Sequence, residues 1–320
     1  MTLKHLAGSK TQDIQHTHGV SRSTVVQAIS STMNAIILEF GIPTFPFDNE
    51  HELQKLADGF KKKSTGDLFT NVVGAFDGYL LRISKRSIGK RSGVKDPIKY
   101  YCRKGFYAIN CQVCCDADRK VTSVSMLCPG AVPDRLAHLK GSMYRSIETV
   151  RLPPKYHFVG YNAYPASDQM LTPCNRQQLR HDVRGRMDNY NFYLSQLRIN
   201  IECCFGMIIE KFPILQTVLL TPKLSTACKT FMVCCIIHNL CIDERLADGD
   251  TVSRVFPARQ RLTQVDGASS ATVHLTEEDF ELVNTVDELS AEELIQLQEI
   301  EGSQDVVDVD DLYTLSVREK

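Results

Sequence analysis

The chain has 320 residues, of which 43% are hydrophobic and 23% are charged, a composition typical of a globular protein with a substantial core. No apolar run reaches the roughly 18 residues that a membrane span requires, and Met1–His5 do not begin a signal peptide. These features argue against a secreted or membrane protein. The 12 cysteines lie mostly in apolar segments, which indicates buried thiols in a reducing compartment rather than a disulfide framework.

The net charge of −1 conceals a strong asymmetry along the chain. Residues 246–320 carry 18 acidic and 5 basic side chains, a net charge of −13, which leaves +12 for residues 1–245. A basic body predicts a polyanionic partner, and the acidic tail either competes with that partner or only improves solubility. The tail is expected to be largely disordered, and residues 274–311 are a candidate segment for binding another protein.

The first 48 residues have the pattern of a helix-turn-helix unit. A short helical segment, Gln12–Thr17, is followed by a glycine turn and by Ser21, which can cap a helix over Arg22–Glu39. In such units the N-terminal residues of the second helix contact DNA bases. The candidate DNA-contacting side chains are therefore Arg22, Ser23 and Gln27. The alternative is a helical hairpin that binds nothing, and the proximity of Met1 to the first helix leaves truncation of the unit open.

One carboxylate interrupts the apolar, strand-length segment Val72–Ile83. A charged side chain inside a buried strand costs several kcal/mol unless it is paired or binds a metal. This residue, Asp77, is followed by Gly78, which leaves the backbone open to close approach. The residues themselves leave two interpretations open: a binding or catalytic carboxylate, or a strand end where Asp77 caps a turn.

Basic loops follow this strand and precede the longest predicted helix. The first loop, Ser84–Lys99, includes Lys85 and Arg86, and the second, Gln177–Asp188, includes Arg180 and Arg184. Such loops can be solvated surface, but beside a strand that presents a carboxylate they are suited to holding a phosphodiester.

The elements from residue 49 to 245 alternate in the manner of an α/β domain. Two apolar runs, Tyr107–Ala117 and Val121–Leu127, predict an antiparallel hairpin. A helix over Pro133–Ile147, a strand over Tyr156–Tyr161 and helices over Asn189–Lys211 and Leu224–Leu246 follow. This order predicts an RNase H-like nuclease fold, a mixed sheet flanked by helices. Carboxylates from the first strand, a later strand end and a helix converge in that fold to hold two divalent ions.

Cysteine and histidine residues in the last predicted helix suggest zinc as another possibility. The candidates are Cys234, Cys235, His238 and Cys241. Zinc ligands usually come from separate elements, and this run is apolar on every side, so core packing explains it better.

Successive sequence blocks resemble the PIF/Harbinger-type DDE transposases and the nucleases derived from them. The blocks are NVVGAFDGYLLRI, YYCRKGFYAINCQ, PGAVPDRLAH, GYNAYPASDQMLTPC, NFYLSQLRINIECCFG and HNLCIDER. They occur in the order of the family, and HGVSRSTV and ELQKLADGF before them also fit. The resemblance covers roughly residues 10–245.

This resemblance places the first catalytic aspartate on Asp77 and the catalytic glutamate on Glu202. The second aspartate belongs in a Gly-Asp-x-Ala-Tyr-Pro block, where this chain has Tyr161 instead. A phenol is a poor ligand for Mg²⁺ or Mn²⁺ at neutral pH. Asn162 lies one position away, and Asp134 and Asp168 are the other candidates to compensate.

The resemblance thus implies a nuclear protein that acts on double-stranded DNA. Its ancestral reaction is metal-dependent hydrolysis and strand transfer, with Asp77 and Glu202 as ligands of two Mg²⁺ or Mn²⁺ ions and Arg198 holding phosphate. Substitution of the second aspartate predicts that cleavage is impaired. The alternatives are a catalytically dead protein that binds DNA or recruits a partner, and a relic without function; a homodimer is left open.

Overall fold

The computed structural model describes residues 1–248 except 90, 91, 93, 151 and 181–184. Arg184 and the predicted features of the acidic tail lie outside these residues. The helices are α1 Thr2–Leu6, α2 Thr11–His18, α3 Arg22–Glu39, α4 Glu50–Lys61, α5 Asp134–Lys140, α6 Ser142–Val150, α7 Arg176–Arg180, α8 Arg186–Lys211 and α9 Leu224–Ala247. The strands are β1 Val72–Arg82, β2 Ala108–Cys115, β3 Val121–Pro129, β4 His157–Val159 and β5 Met170–Leu171.

The strands form one mixed sheet in the order β3-β2-β1-β4-β5. Strands β1, β2 and β3 pair antiparallel, as predicted for the hairpin, whereas β4 pairs parallel with β1 and with β5. Helices cover the sheet, so the predicted α/β architecture is confirmed. The short strand β5 was not predicted, because a two-residue strand leaves no periodicity to detect.

The two faces of the sheet bury different sets of side chains. Alternation along β2 sends Cys111 and Cys114 to opposite faces. Cys111 belongs to the core that includes α8 and α9, and Cys114 belongs to a second core under α4 and α6. Both thiols are fully buried. Burial raises the pKa of the Cys114 thiol to about 12, so this cysteine is an inert core residue.

Helix α9 is long and apolar enough to cross a membrane by composition, contrary to the expectation that no segment would be. Its mean hydropathy over 18 residues is 1.4, but 72% of that window is buried inside the protein. The helix packs against α3, α8 and β3. Cys234 and Cys235 are fully buried, and the Nε2 atom of His238 lies 2.8 Å from the backbone oxygen of Arg119. Core packing therefore explains the apolar character of α9.

Three details differ from the sequence predictions. The helix predicted over Pro133–Ile147 is two helices, because Gly141 adopts an extended conformation with ψ of 147° between them. The loop predicted over Gln177–Asp188 includes α7 and the start of α8. Phe192 on α8 is 61% exposed, although apolar residues at helical spacing are expected to lie on the buried face.

The N-terminal helices match their predicted positions. Gly19 adopts a left-handed conformation (φ of 64°) between α2 and α3, and the Ser21 hydroxyl accepts a 3.1 Å hydrogen bond from the backbone N–H of Thr24. Val25 and Ile29 are buried, and α3 packs against α9. The helical geometry is as expected, whereas DNA binding by α3 stays a prediction.

Candidate functional site at the ends of strands β1 and β4

Asp77 lies in β1, and Tyr161 follows β4, the parallel neighbour of β1, by two residues. The last register pair between β1 and β4 joins Ala75 to Val159, which precede Asp77 and Tyr161 by two residues each. Tyr161, where the family resemblance predicts a second aspartate, therefore follows the carboxyl end of the strand that pairs with the strand of Asp77.

The side chain of Asp77 faces helix α8. Tyr79, on the same face of β1 by alternation, packs its ring 5.4 Å from that of Phe205 on α8 and 5.2 Å from that of Phe231 on α9. Helix α8 also carries Arg198 and Glu202, which are four residues apart and so lie one turn apart on one side of the helix. The strand and the helix together bring Asp77, Arg198 and Glu202 to one corner of the domain.

Burial and neighbouring charges change the acidity of Asp77. Desolvation is the largest cause and raises the pKa of Asp77 from 3.8 to about 6. A 2.8 Å hydrogen bond from the backbone N–H of Gly78 and the charge of Arg198 lower this pKa, whereas Asp134 and Glu202 raise it. The carboxylate is therefore within electrostatic reach of all three charged side chains.

Arg198 covers the ring of Tyr161. Its guanidinium carbon lies 4.3 Å from the ring centroid, which is a cation–π contact. Burial lowers the pKa of Arg198, while Asp77 and Tyr190 raise it. The Nε atom of Arg198 is buried, and within the described part of the chain no group accepts a hydrogen bond from it. A guanidinium with an unused Nε donor therefore packs on Tyr161, the residue found where the family resemblance predicts an aspartate.

Glu202 lies at the outer edge of this corner. Its side chain is exposed, yet partial desolvation of the carboxyl group raises its pKa. The two predicted catalytic carboxylates are thus brought to one side of the sheet, one in the strand and one on the helix.

Asp134 lies on the opposite face of β1. Its Oδ1 atom accepts hydrogen bonds from the Nδ2 of Asn110 (2.9 Å) and the Nε2 of Gln112 (3.4 Å). A Cβ atom added at Gly78 would lie 2.4 Å from the same Oδ1. Because consecutive side chains of a strand alternate, Asp134 covers the face away from the Asp77 carboxylate. Its contacts are those of a residue that stabilises the strand pair.

Asp134 belongs to a buried polar network that was not predicted from the sequence. The hydroxyl of Tyr164 donates a 2.7 Å hydrogen bond to the Oε1 of Gln112, whose Nε2 donates to the Oδ1 of Asn110 at 2.8 Å. His138 packs against the ring of Tyr164, and burial lowers the pKa of this histidine to about 3, so it is neutral. The sequence feature that could have indicated this network is the pair Asn110 and Gln112, two polar residues two positions apart in an otherwise apolar strand.

The remaining candidates lie at the surface. Asn162 and Asp168 are exposed, and the backbone oxygen of Asp168 lies 2.6 Å from the Nδ1 of His157. The proposed DNA-contacting residues that are described and exposed are Arg22, Ser23, Gln27, Lys85, Arg86 and Arg180. Arg184 lies outside the described residues.

The donor set does not fit two divalent ions. Among the described residues, no group of three or more His, Cys, Asp and Glu side chains is arranged to hold a metal ion. Asp77 and Glu202 share one side of β1, Asp134 lies on the other, and Tyr161 supplies a phenol in contact with a cation. Hard divalent ions require several carboxylate oxygens at one point.

Comparison with known proteins agrees with this architecture. The family described as DDE superfamily endonuclease matches residues 76–239. Two proteins named "Putative nuclease HARBI1" are similar over 228 residues: that of Rattus norvegicus is 23% identical and that of Mus musculus 22%. Each alignment covers 70% of this chain and 60% of the relative. No solved structure matches the chain.

Proposed function

We propose that this chain, which belongs to the family of DDE superfamily endonucleases, is a transposase-derived DNA-binding protein of the PIF/Harbinger type with impaired metal-dependent DNA cleavage. The observation that supports this proposal most directly is the contact of Arg198 with Tyr161, in which the guanidinium carbon lies 4.3 Å from the ring centroid. The family chemistry needs a carboxylate at this position. The chain has a phenol and a cation there.

The electrostatics of the corner oppose two bound dications. Two metal ions roughly 3.5–4 Å apart are stabilised by the negative charge of the surrounding carboxylates. Asp77 and Glu202 supply two negative charges, and Arg198 offsets one of them. The remaining net charge of about −1 stabilises two dications less than the charge of three carboxylates would. The buried Nε of Arg198 is a suitable donor to a phosphate oxygen.

The charge of the folded body supports double-stranded DNA as the partner. Residues 1–245 carry a net charge of +12, and exposed basic side chains include Arg22 on α3, Lys85 and Arg86 after β1, and Arg180 on α7. Neutralising DNA phosphates with such side chains gives salt-sensitive affinity. Chromosomal DNA as partner implies a nuclear location. Neither a homodimer nor a protein partner of the acidic tail is required by this proposal.

A nicking assay on supercoiled plasmid with Mg²⁺ or Mn²⁺ tests the proposal. We expect no nicking by the native chain and metal-dependent nicking by Tyr161→Asp. The matched control Tyr161→Asn removes the phenol without adding a charge and is expected to stay inactive. Adding Glu202→Ala to Tyr161→Asp is expected to abolish the restored activity.

The opposite result would come from the native chain itself. Metal-dependent nicking by the native protein that is lost in Asp77→Ala would show that another group replaces the missing ligand. The proposed impairment of DNA cleavage would then be wrong. Substitutions of Asp134 and Asp168 would be tested next to find the replacing ligand.

A second candidate function is DNA binding together with partner recruitment through the acidic tail. The observation that favours it is the net charge of −13 over residues 246–320, which suits a basic protein surface. If this second function is right, Tyr161→Asp leaves DNA binding and partner binding unchanged, because neither depends on cleavage. Affinity capture with the full chain, compared with a chain carrying Asn and Gln in place of the acidic residues of 274–311, distinguishes the two.

A further inference from the structure

A cavity of about 350 Å³ opens on the face of β1 that Asp134 covers, across the strand from the side chain of Asp77. Its walls come from β1, from β2, from the turn between β3 and α5, and from the loop after β4. Asp134 and Asn162, the residue that follows Tyr161, both line it. The cavity is therefore separate from Asp77 and from the Arg198–Tyr161 contact, and Asn162 joins it to the loop that carries Tyr161.

The lining combines two arginines with an apolar wall. Arg103, from the loop before β2, and Arg135, from the first turn of α5, contribute guanidinium groups from separate elements. Leu80, Val132 and Pro133 provide the apolar surface. Arginines bind phosphate oxygens in pairs of hydrogen bonds, and a flat aliphatic wall accepts the face of a base or the edge of a sugar.

The polar atoms at the mouth suit the hydrogen-bonding edge of a base. Asn162 is exposed and offers one amide donor group and one carbonyl acceptor. Asp134 uses its Oδ1 atom to bind Asn110 and Gln112, which holds the wall of the cavity in place. A volume of about 350 Å³ lies at the lower end of the roughly 300–1,000 Å³ typical of small-molecule sites. A duplex is too wide to enter.

We propose that this cavity binds one unstacked nucleotide of a DNA strand. The inference rests on the proposed function, since it assumes that DNA is the partner of this domain. Arg103 and Arg135 hold the phosphate of the inserted nucleotide, the apolar wall contacts its base, and Asn162 binds the edge of the base. The protein then prefers single-stranded or distorted DNA at this cavity, while α3 binds duplex.

Fluorescence anisotropy with the full chain tests the site. The probes are a fluorescein-labelled decathymidylate single strand and a labelled duplex of ten base pairs, at one fixed salt concentration. Two variants address the cavity: Arg103→Ala removes an exposed guanidinium, and Ala163→Leu fills the space. The matched control Arg22→Ala removes an exposed arginine from α3. Circular dichroism checks the folding of each variant.

We expect Arg103→Ala to weaken single-strand binding about tenfold, the loss of one charge-assisted contact, and Ala163→Leu to weaken it by occupying the space of the nucleotide. Both variants should weaken duplex binding less than about twofold. Arg22→Ala is expected to weaken duplex binding and to leave single-strand binding unchanged. Free thymidine monophosphate is expected to compete with the single strand at concentrations where inorganic phosphate does not. If Ala163→Leu does not fold, the result for Arg103→Ala by itself tests the nucleotide site.

The outcomes separate the two proposals. Unchanged single-strand binding in Arg103→Ala, with intact duplex binding, overturns the nucleotide site and leaves the proposed function standing. The same conclusion follows if the native chain binds duplex but no single strand. Equal competition by inorganic phosphate overturns the base contact and reduces the site to an anion site. Absence of binding to both probes sinks the nucleotide site and the proposed DNA binding together.

Discussion

The guanidinium carbon of Arg198 lies 4.3 Å above the ring of Tyr161. The arginine comes from the middle of α8 and the tyrosine from the loop after β4, so the contact joins a helix to the carboxyl end of the sheet. Arg198 also lies near Asp77, whose pKa it lowers. The position where the family resemblance predicts an aspartate thus holds an aromatic ring that packs against a cation.

The coupling between these two residues can be measured by a double-mutant cycle. We expect Tyr161→Leu and Arg198→Met to show a coupling free energy of about 1 kcal/mol in urea unfolding, the usual size of a partly desolvated cation–π pair. The matched control pairs Arg198→Met with Tyr101→Leu, whose ring packs on Tyr107 instead. Coupling within error of that control would show that the contact carries no energy.

Asp77→Asn is expected to stabilise the protein at neutral pH. The carboxylate is harder to ionise in the fold than in water, because burial raises its pKa from 3.8 to about 6. Above pH 6 the carboxylate is charged in both the folded and unfolded states. Burial of this charge lowers the stability of the folded state. Removing the charge should increase the free energy of unfolding at pH 7.5 by on the order of 2 kcal/mol, allowing for partial exposure.

The pH dependence fixes the sign of this effect. Between pH 3.8 and 6 the folded native protein binds more protons at Asp77 than the unfolded chain does, so this contribution to stability falls as pH rises. The difference in unfolding free energy between Asp77→Asn and native protein should be near zero at pH 3.5 and reach its maximum above pH 6.5. A difference that is the same at both ends would contradict the raised pKa.

Gly78→Ala is expected to destabilise the fold by about 2 kcal/mol, the usual cost of overpacking a filled site. The added methyl group would lie 2.4 Å from the Oδ1 of Asp134 and 2.9 Å from the Nε2 of Gln112. Urea unfolding measures the loss. Gly89→Ala serves as the control, because its methyl group meets nothing nearer than 3.5 Å. Equal stability of the two variants would mean that Asp134 does not cover Gly78.

Arg22→Ala is expected to weaken duplex DNA binding and to reduce the slope of log affinity against log salt by about 1, the release of one counterion. The side chain is exposed at the start of α3, so the melting temperature should not change. Anisotropy titrations at several salt concentrations measure the slope. Lys223→Ala, an exposed lysine before α9, is the control. Identical slopes for the two variants would remove α3 from the DNA-binding surface.

Local patterns were sufficient for most of the secondary structure. The bounds of α3, the hairpin of β2 and β3, and the strand that carries Asp77 agree with the predictions to within a few residues. Each depends on short-range physics: a hydroxyl cap at Ser21, alternation along a strand, and recurrence of apolar residues on a helix. The break at Gly141 and the strand β5 were missed, because tertiary packing decides them more than local sequence does.

For the candidate site, the sequence predicted Asp77 in a strand, Glu202 on a long helix and a tyrosine where the family resemblance expects an aspartate. Which of these side chains meet depends on how the elements pack. Strand alternation and the position of α5 put Asp134 on the far face of β1, and the approach of α8 puts Arg198 on Tyr161. Such contacts depend on the register and packing of elements far apart in the chain, and no local pattern of residues encodes them.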